Sequence, residues 1–264
     1  MPMQIDHVVA LVRDLASAVA DYEALGFTVI PGGEHVGGAT HNALISFADG
    51  TYIELIAFRE PDRPSAHAWW PYLAKGEGWV DFALLEPDLG GAAGRLAAAG
   101  IEAQGPGDGG RLRPDGQAVA WRSVRTQIAP GAGRLPFLID DVTPRDLRVP
   151  GGAATGHRLP IARVAGATIV VADLARASAA YASLLGTEGA IIDGGTGATG
   201  RRFPLGAQTL TLLAPTDDTS DLARTLRERG EGLYEVAFGG TAGATADLLD
   251  LGLAHGARMR IVAS

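Results

Sequence analysis

One strand–helix unit occurs four times along this chain, and a repeat constrains a fold before any other property does. The first copy opens Ile5-Asp6-His7-Val8-Val9-Ala10-Leu11-Val12, passes through Asp14-Leu15 and an Ala-rich stretch, and closes at Leu25-Gly26-Phe27. The third opens Ala167-Thr168-Ile169-Val170-Val171-Ala172-Asp173-Leu174 and closes at Leu184-Leu185-Gly186. The second and fourth share an opening, Gly76-Glu77-Gly78-Trp79-Val80-Asp81 and Gly230-Glu231-Gly232-Leu233-Tyr234-Glu235. The copies differ in the side chains they carry at matched positions, and that difference locates the candidate chemistry.

The 264 residues are 47% hydrophobic, enough for a substantial core in two domains. A net charge of −8, with Lys75 the single lysine, leaves no basic footprint for nucleic acid. With no cysteine, disulfides, thiolate catalysis and Cys-ligated zinc are excluded. No charged n-region with a long apolar h-region precedes Ile5, and no apolar run reaches membrane-spanning length. A cytoplasmic protein without a membrane or nucleic-acid partner is expected.

Within the first unit, residues 4–12 read as a buried strand, Asp14 as an N-cap, 17–25 as a helix and Gly26 as its stop. Strands are expected at 27–30, 42–47 and 51–58, the last two joined by an Asp49-Gly50 turn. The unit is therefore βαβββ. The second has a strand at 79–85, a helix at 89–99, a Pro114-Asp115-Gly116 turn, and strands at 117–124 and 136–140. Residues 143–160, rich in Gly, Pro and Arg, read as a linker. The expected fold class is α+β, with paired βαβββ modules forming cupped mixed sheets in two domains, 1–142 and 161–264. The fourth module is truncated: after a helix and one strand, 259–263, no room remains for a last hairpin.

Side chains alternate across a strand, so His7 shares a face with Val9 and Leu11, and Glu54 with Tyr52 and Ile56. Counting from the Asp-Leu helix starts matches His7 to Asp81 and Gly166, and the fourth strands match Glu54 to Thr211. Asp140 is the natural counterpart of Glu54 in the second unit. The first pair of units thus offers His7, Glu54, Asp81 and Asp140; the second offers Gly166, Thr211 and Glu235, and cannot chelate. Asp81 and Asp140 could equally accept N–H groups at strand ends. His35 and His41 flank a Gly-rich loop, Trp69-Trp70 could wall a pocket or pack between units, and Arg113 or Arg122 could bind an anion or serve as surface ion pairs. Gly195-Thr196-Gly197-Ala198-Thr199-Gly200 fits a dinucleotide fingerprint by letter but leads into a strand, so no nucleotide cofactor is expected.

The segments around His7, Leu25-Gly26-Phe27, Thr40–Ile45, Asp49–Leu55 and Arg113–Arg122 make the chain resemble the vicinal oxygen chelate superfamily, and within it the glyoxalase-like family. The resemblance implies a metal held on the first and fourth strands of two paired units, here His7, Glu54 and Asp81, with Asp81 replacing the usual His or Gln. A divalent ion (Mn, Fe, Zn, Ni or Mg) would stabilise an enediolate, with Glu54 and Asp140 as candidate catalytic carboxylates. His41, Trp121 and Arg122 would meet the substrate. The implied activity is a metal-assisted lyase, isomerase or epimerase on a small oxygen-rich molecule. The alternative is a non-catalytic protein that sequesters a small ligand, and the second domain is a candidate homodimer interface.

Overall fold

A computed structural model describes residues 3–127, 134–195 and 197–263. The first half runs β1 (Gln4–Leu11), α1 (Leu15–Leu25), β2 (Ile30–His35), β3 (Thr40–Ser46) and β4 (Tyr52–Phe58). It continues through a short α2 (Trp70–Leu73), β5 (Gly78–Leu85), α3 (Leu89–Ala98), β6 (Glu102–Leu112), β7 (Ala118–Gln127) and β8 (Phe137–Asp141). The second half begins after α4 (Arg145–Arg148) and a 3₁₀ turn at Gly152–Thr155. It comprises β9 (Ile161–Val170), α5 (Leu174–Leu185), β10 (Ala190–Asp193), β11 (Ala198–Leu205), β12 (Gln208–Pro215), α6 (Asp221–Arg229), β13 (Gly232–Gly240), β14 (Asp247–Leu248) and β15 (Met259–Val262).

The capping chemistry expected from sequence forms. Asp14 accepts from the Ser17 N–H, Asp173 from that of Arg176, and Gly26 closes α1 in the left-handed region at φ 107°. The α+β architecture of paired modules is present in both halves, with three of the modules βαβββ, but the halves close differently. The eight strands of the first half form a closed barrel in the order β1-β4-β3-β2-β6-β7-β8-β5. The second half is an open seven-stranded sheet, β10-β11-β12-β9-β13-β15-β14. The fourth module is truncated, and the helix expected within it is a run of turns with glycines at 243, 252 and 256. β6, whose sequence Glu102–Leu112 holds four glycines and a proline, is a strand that the sequence does not advertise. Across 195–200, Gly197 lies in a turn and β11 starts at Ala198; Thr196 lies outside the described residues.

Both halves share one apolar core. Outward-facing barrel residues such as Ile5, Val8, Ile53, Phe82 and Leu84 join Ile169, Leu210, Leu212, Val236 and Phe238 of the sheet. The buried Gln208 amide stitches the joint, accepting from the Ile5 N–H at 2.6 Å and donating to the Ile5 and Val164 carbonyls. A second apolar group lies inside the barrel, including Val9, Leu11, Ile56, Trp69, Ala83, Phe137 and Ile139. Among the described residues no helix is long and apolar enough to cross a membrane.

Candidate active site

The barrel encloses a cavity of about 250 Å³. The strand period decides what reaches it. His7 on β1, Tyr52, Glu54 and Ile56 on β4, and Trp121, Ser123 and Arg125 on β7 all line it, each run separated by single outward-facing residues. β1 carries one extra residue against β5: Ile5 pairs with Leu84 and His7 with Ala83, leaving Asp6 in a bulge. A bulge re-aims side chains locally. Here it lets the neighbours Asp6 and His7 meet, with Asp6 Oδ1 2.6 Å from His7 Nδ1.

His7 and Glu54 are brought together. His7 Nε2 lies 3.6 Å from Glu54 Oε2, so the ring has a carboxylate at each nitrogen. Tyr52 stacks on the ring at 4.5 Å and fixes its plane. Glu54 Oε1 accepts from Asn42 Nδ2 at 2.6 Å and lies 3.3 Å from His35 Nε2. Burial pushes the Glu54 pKa up, but the hydrogen bond and charge of His35, the charge of His7 and the Asn42 amide outweigh it, leaving it at about 2. Burial also raises Asp6, yet the charge and hydrogen bonds of Arg148, with the His7 contact, hold this carboxyl well below the usual range. Arg148 Nη1 and Nη2 donate to the two Asp6 oxygens at 2.8 and 2.9 Å, and Arg148 also bonds Asp141 and the Tyr52 hydroxyl. Arg145 adds a bond to Asp6 at 2.6 Å. The charged support beneath His7 therefore comes from residues 145–148, inside the segment read as a linker. Asp6 was readable as a polar residue in an apolar run, whereas nothing in the sequence paired it with an arginine 142 positions away.

The remaining sequence candidates separate. Asp81 does not join His7 and Glu54: its carboxylate accepts from the Trp69 indole at 2.9 Å, Arg134 at 3.2 Å and the Phe82 N–H at 2.9 Å. Asp140 is displaced by register. Val9, two residues beyond His7, pairs with Glu54, and Ala83, two beyond Asp81, pairs with Phe137. The structural counterpart of Glu54 is thus Phe137, and Asp140, three residues on, falls on the opposite face. His41 lies between Thr40, which lines the cavity, and Asn42, so it faces outward; burial lowers its pKa. Trp121 lines the cavity edge-on to His35 at 6.0 Å. Arg122, its neighbour, points out and pairs with Asp108 at 3.7 Å, half exposed. Arg113 donates to the Leu147 carbonyl and pairs with Asp115.

These placements bear on the implied metal. Of the four matched positions, Phe137 has no donor atom and Asp81 is engaged by an indole, a guanidinium and a backbone N–H. Among the described residues no three His, Asp or Glu side chains are placed to hold one ion. Arg111 and Arg125 also line the cavity, and their charge opposes a divalent cation. The residues do not fit the metal that the resemblance implies.

Comparison with known proteins agrees with this architecture. A crystal structure of a hypothetical protein from Staphylococcus aureus superposes with a TM-score of 0.75 at 12% identity, covering 99% of this chain and 100% of that one. A mutant 4-hydroxymandelate synthase from Streptomyces coelicolor gives a TM-score of 0.56 at 17% identity, covering 90% of this chain and 71% of that chain. Methylmalonyl-CoA epimerase from Mycobacterium tuberculosis matches at 20% identity over 40% of this chain and 90% of its own, with a TM-score of 0.35. No curated protein matches in sequence. The glyoxalase-like domain family matches residues 5–185, most of the chain, and with the paired βαβββ modules this makes the protein a member of that family within the vicinal oxygen chelate superfamily.

Proposed function

We propose that this protein is an isomerase, epimerase or lyase that moves a proton on a small oxygen-rich molecule in the barrel cavity, with His7 and Glu54 as the acid–base pair. The observation that carries this reading is the His7 ring held between Asp6 and Glu54 at the cavity surface. With the Nδ1 proton committed to Asp6, a neutral ring presents an unprotonated Nε2 to the cavity. A C–H bond next to a carbonyl would break there, its proton passing to Nε2 and its electron pair to the substrate oxygen as an enolate. The imidazolium so formed lies 3.6 Å from the Glu54 carboxylate, which favours its charge. Return of the proton to the other face or another carbon completes the isomerisation. Glu54, ionised down to about pH 2, serves as this charge partner more readily than as the base itself.

A sequestration role is the second reading, favoured by the aromatic walls Trp69, Trp121 and Phe137. Proton exchange separates the two. Small 2-oxo and 2-hydroxy acids and aldehydes, incubated in D₂O, should exchange an α-proton with the native protein and not with His7→Ala. A ligand that saturates the native protein without any exchange makes it a binding protein.

A further inference from the structure

Three guanidiniums, those of Arg111, Arg125 and Arg148, line the cavity beside the carboxylates of Glu54 and Asp108. Arg148 is matched by Asp6 and Asp141, but Arg111 and Arg125 have no carboxylate partner among the described residues. Arg111, on β6, is 4% exposed; its Nε donates to the Gly32 carbonyl and its Nη2 to that of Arg148, while Nη1 has no hydrogen-bond partner among the described residues. Arg125 makes no hydrogen bond or ion pair there; its guanidinium lies 5.4 Å from the Trp69 ring and 5.6 Å from that of Phe137. A buried guanidinium bonded only to carbonyls is costly unless an anion completes its shell. The buried Arg111 and the half-buried Arg125 on one cavity form an oxyanion seat, since guanidinium N–H groups match the oxygens of carboxylate and phosphate. At about 250 Å³ the cavity lies just under the ~300–1,000 Å³ usual for drug-sized ligands, so the occupant is compact.

We infer that the ligand is a small organic anion whose oxyanion head, carboxylate or phosphate, is taken by Arg111 and Arg125. This rests on the proposed use of the same cavity and adds the substrate class. Arg125 is the better residue to change, because among the described residues its guanidinium contacts only the Trp69 and Phe137 rings and its loss orphans no hydrogen-bonded group there.

The test is calorimetric titration of the full chain at low salt with lactate, 2-phosphoglycolate, inorganic phosphate and uncharged lactamide. Saturable binding of an anion but not lactamide is expected, weakened about tenfold or more in Arg125→Gln. Arg125→Lys should recover only part of it. Tighter lactate assigns the head to a carboxylate; tighter phosphoglycolate or phosphate assigns it to a phosphate. Equal binding of lactate and lactamide, no anion binding at all, or an affinity unchanged in both Arg125→Gln and a folded Arg111→Gln overturns the inference. Anion binding that depends on Arg125 but comes with no His7-dependent proton exchange leaves this inference standing and ends the acid–base reading.

Discussion

The closed barrel and the open sheet follow one plan. Each pairs its first and fourth strands in parallel, joins the next module in antiparallel, and places a bulge just before the site position, Asp6 in the barrel and Ala165 in the sheet. Where the barrel has His7 and Glu54, register places Gly166 and Thr211 in the sheet; where it has Asp81, the sheet has Glu235, bonded to Arg258 and Arg260. The barrel closes because β6 meets β2, pairing Arg111 with His35. The sheet ends at the two-residue β14, so Thr209 stands in solvent and Thr211 only partly out of it. Shared topology is therefore not what makes a site. Enclosure strengthens each charge in the barrel, while water screens the same face of the sheet.

The largest effect that would test this contrast is expected at Asp6. Asp6→Ala leaves the buried Arg148 short of one of its two carboxylates and should lower stability by about 3–5 kcal/mol in urea denaturation. Glu235→Ala, the change on the sheet's ion pairs, releases two partly exposed arginines and should cost no more than about 1 kcal/mol. Equal losses would break the comparison. At the chemical step, His7→Ala should slow proton exchange by about 100-fold or more, while Thr211→Ala leaves the rate unchanged.

Acid should then reach the barrel in two windows, read as the thermal midpoint against pH. Burial and the Arg125 charge lower the His67 pKa from 6.5 to about 4, so protonation favours the unfolded chain and stability falls as pH drops through that range. Glu54 shifts from 4.5 to about 2, so its contribution is present above 4.5 and is lost between 4.5 and 2, by about 3 kcal/mol in all. His67→Gln should flatten the upper window and Glu54→Gln the lower; a profile unchanged in both contradicts the enclosure argument. The smallest effect belongs to Arg122→Ala, which removes a half-exposed pair with Asp108. It should stay within about 0.5 kcal/mol and leave anion binding intact, in contrast to its inward neighbours.

The sequence made some of this legible and hid the rest for identifiable reasons. His7 and Glu54 were readable because the repeat supplied a ruler: the same strand with and without a polar residue. Asp140 was misplaced because matching by residue type ignores ladder register, which puts Phe137 opposite Ala83. Arg122 was named as a substrate contact and Arg125 was not, although the residues of β7 that line the cavity are the odd-numbered Trp121, Ser123 and Arg125, a parity that needs the strand's partners to set it. β6 was hidden by its own glycines. One of them has a clear reason: a Cβ on Gly109 would lie 2.3 Å from Trp121 Nε1, so that position must stay bare for the indole to lie across the strand. Asp81 lost its role to Trp69, a residue from the bridge before β5 whose path no local pattern fixes.

The segment after β8 carries a lesson for anyone who would cut or recombine this protein. Ending the first half at residue 142 would deliver a barrel with Asp6 sealed inside and the guanidiniums of Arg145 and Arg148 left behind. Extending it past Arg148 keeps that counter-charge, and extending it to residue 157 also keeps His157 on the Thr28 N–H and the Ser46 carbonyl. The seam that looks like spare rope between two repeats is the tether on which the first repeat's electrostatics hang, so insertions and fusions belong on the far side of it.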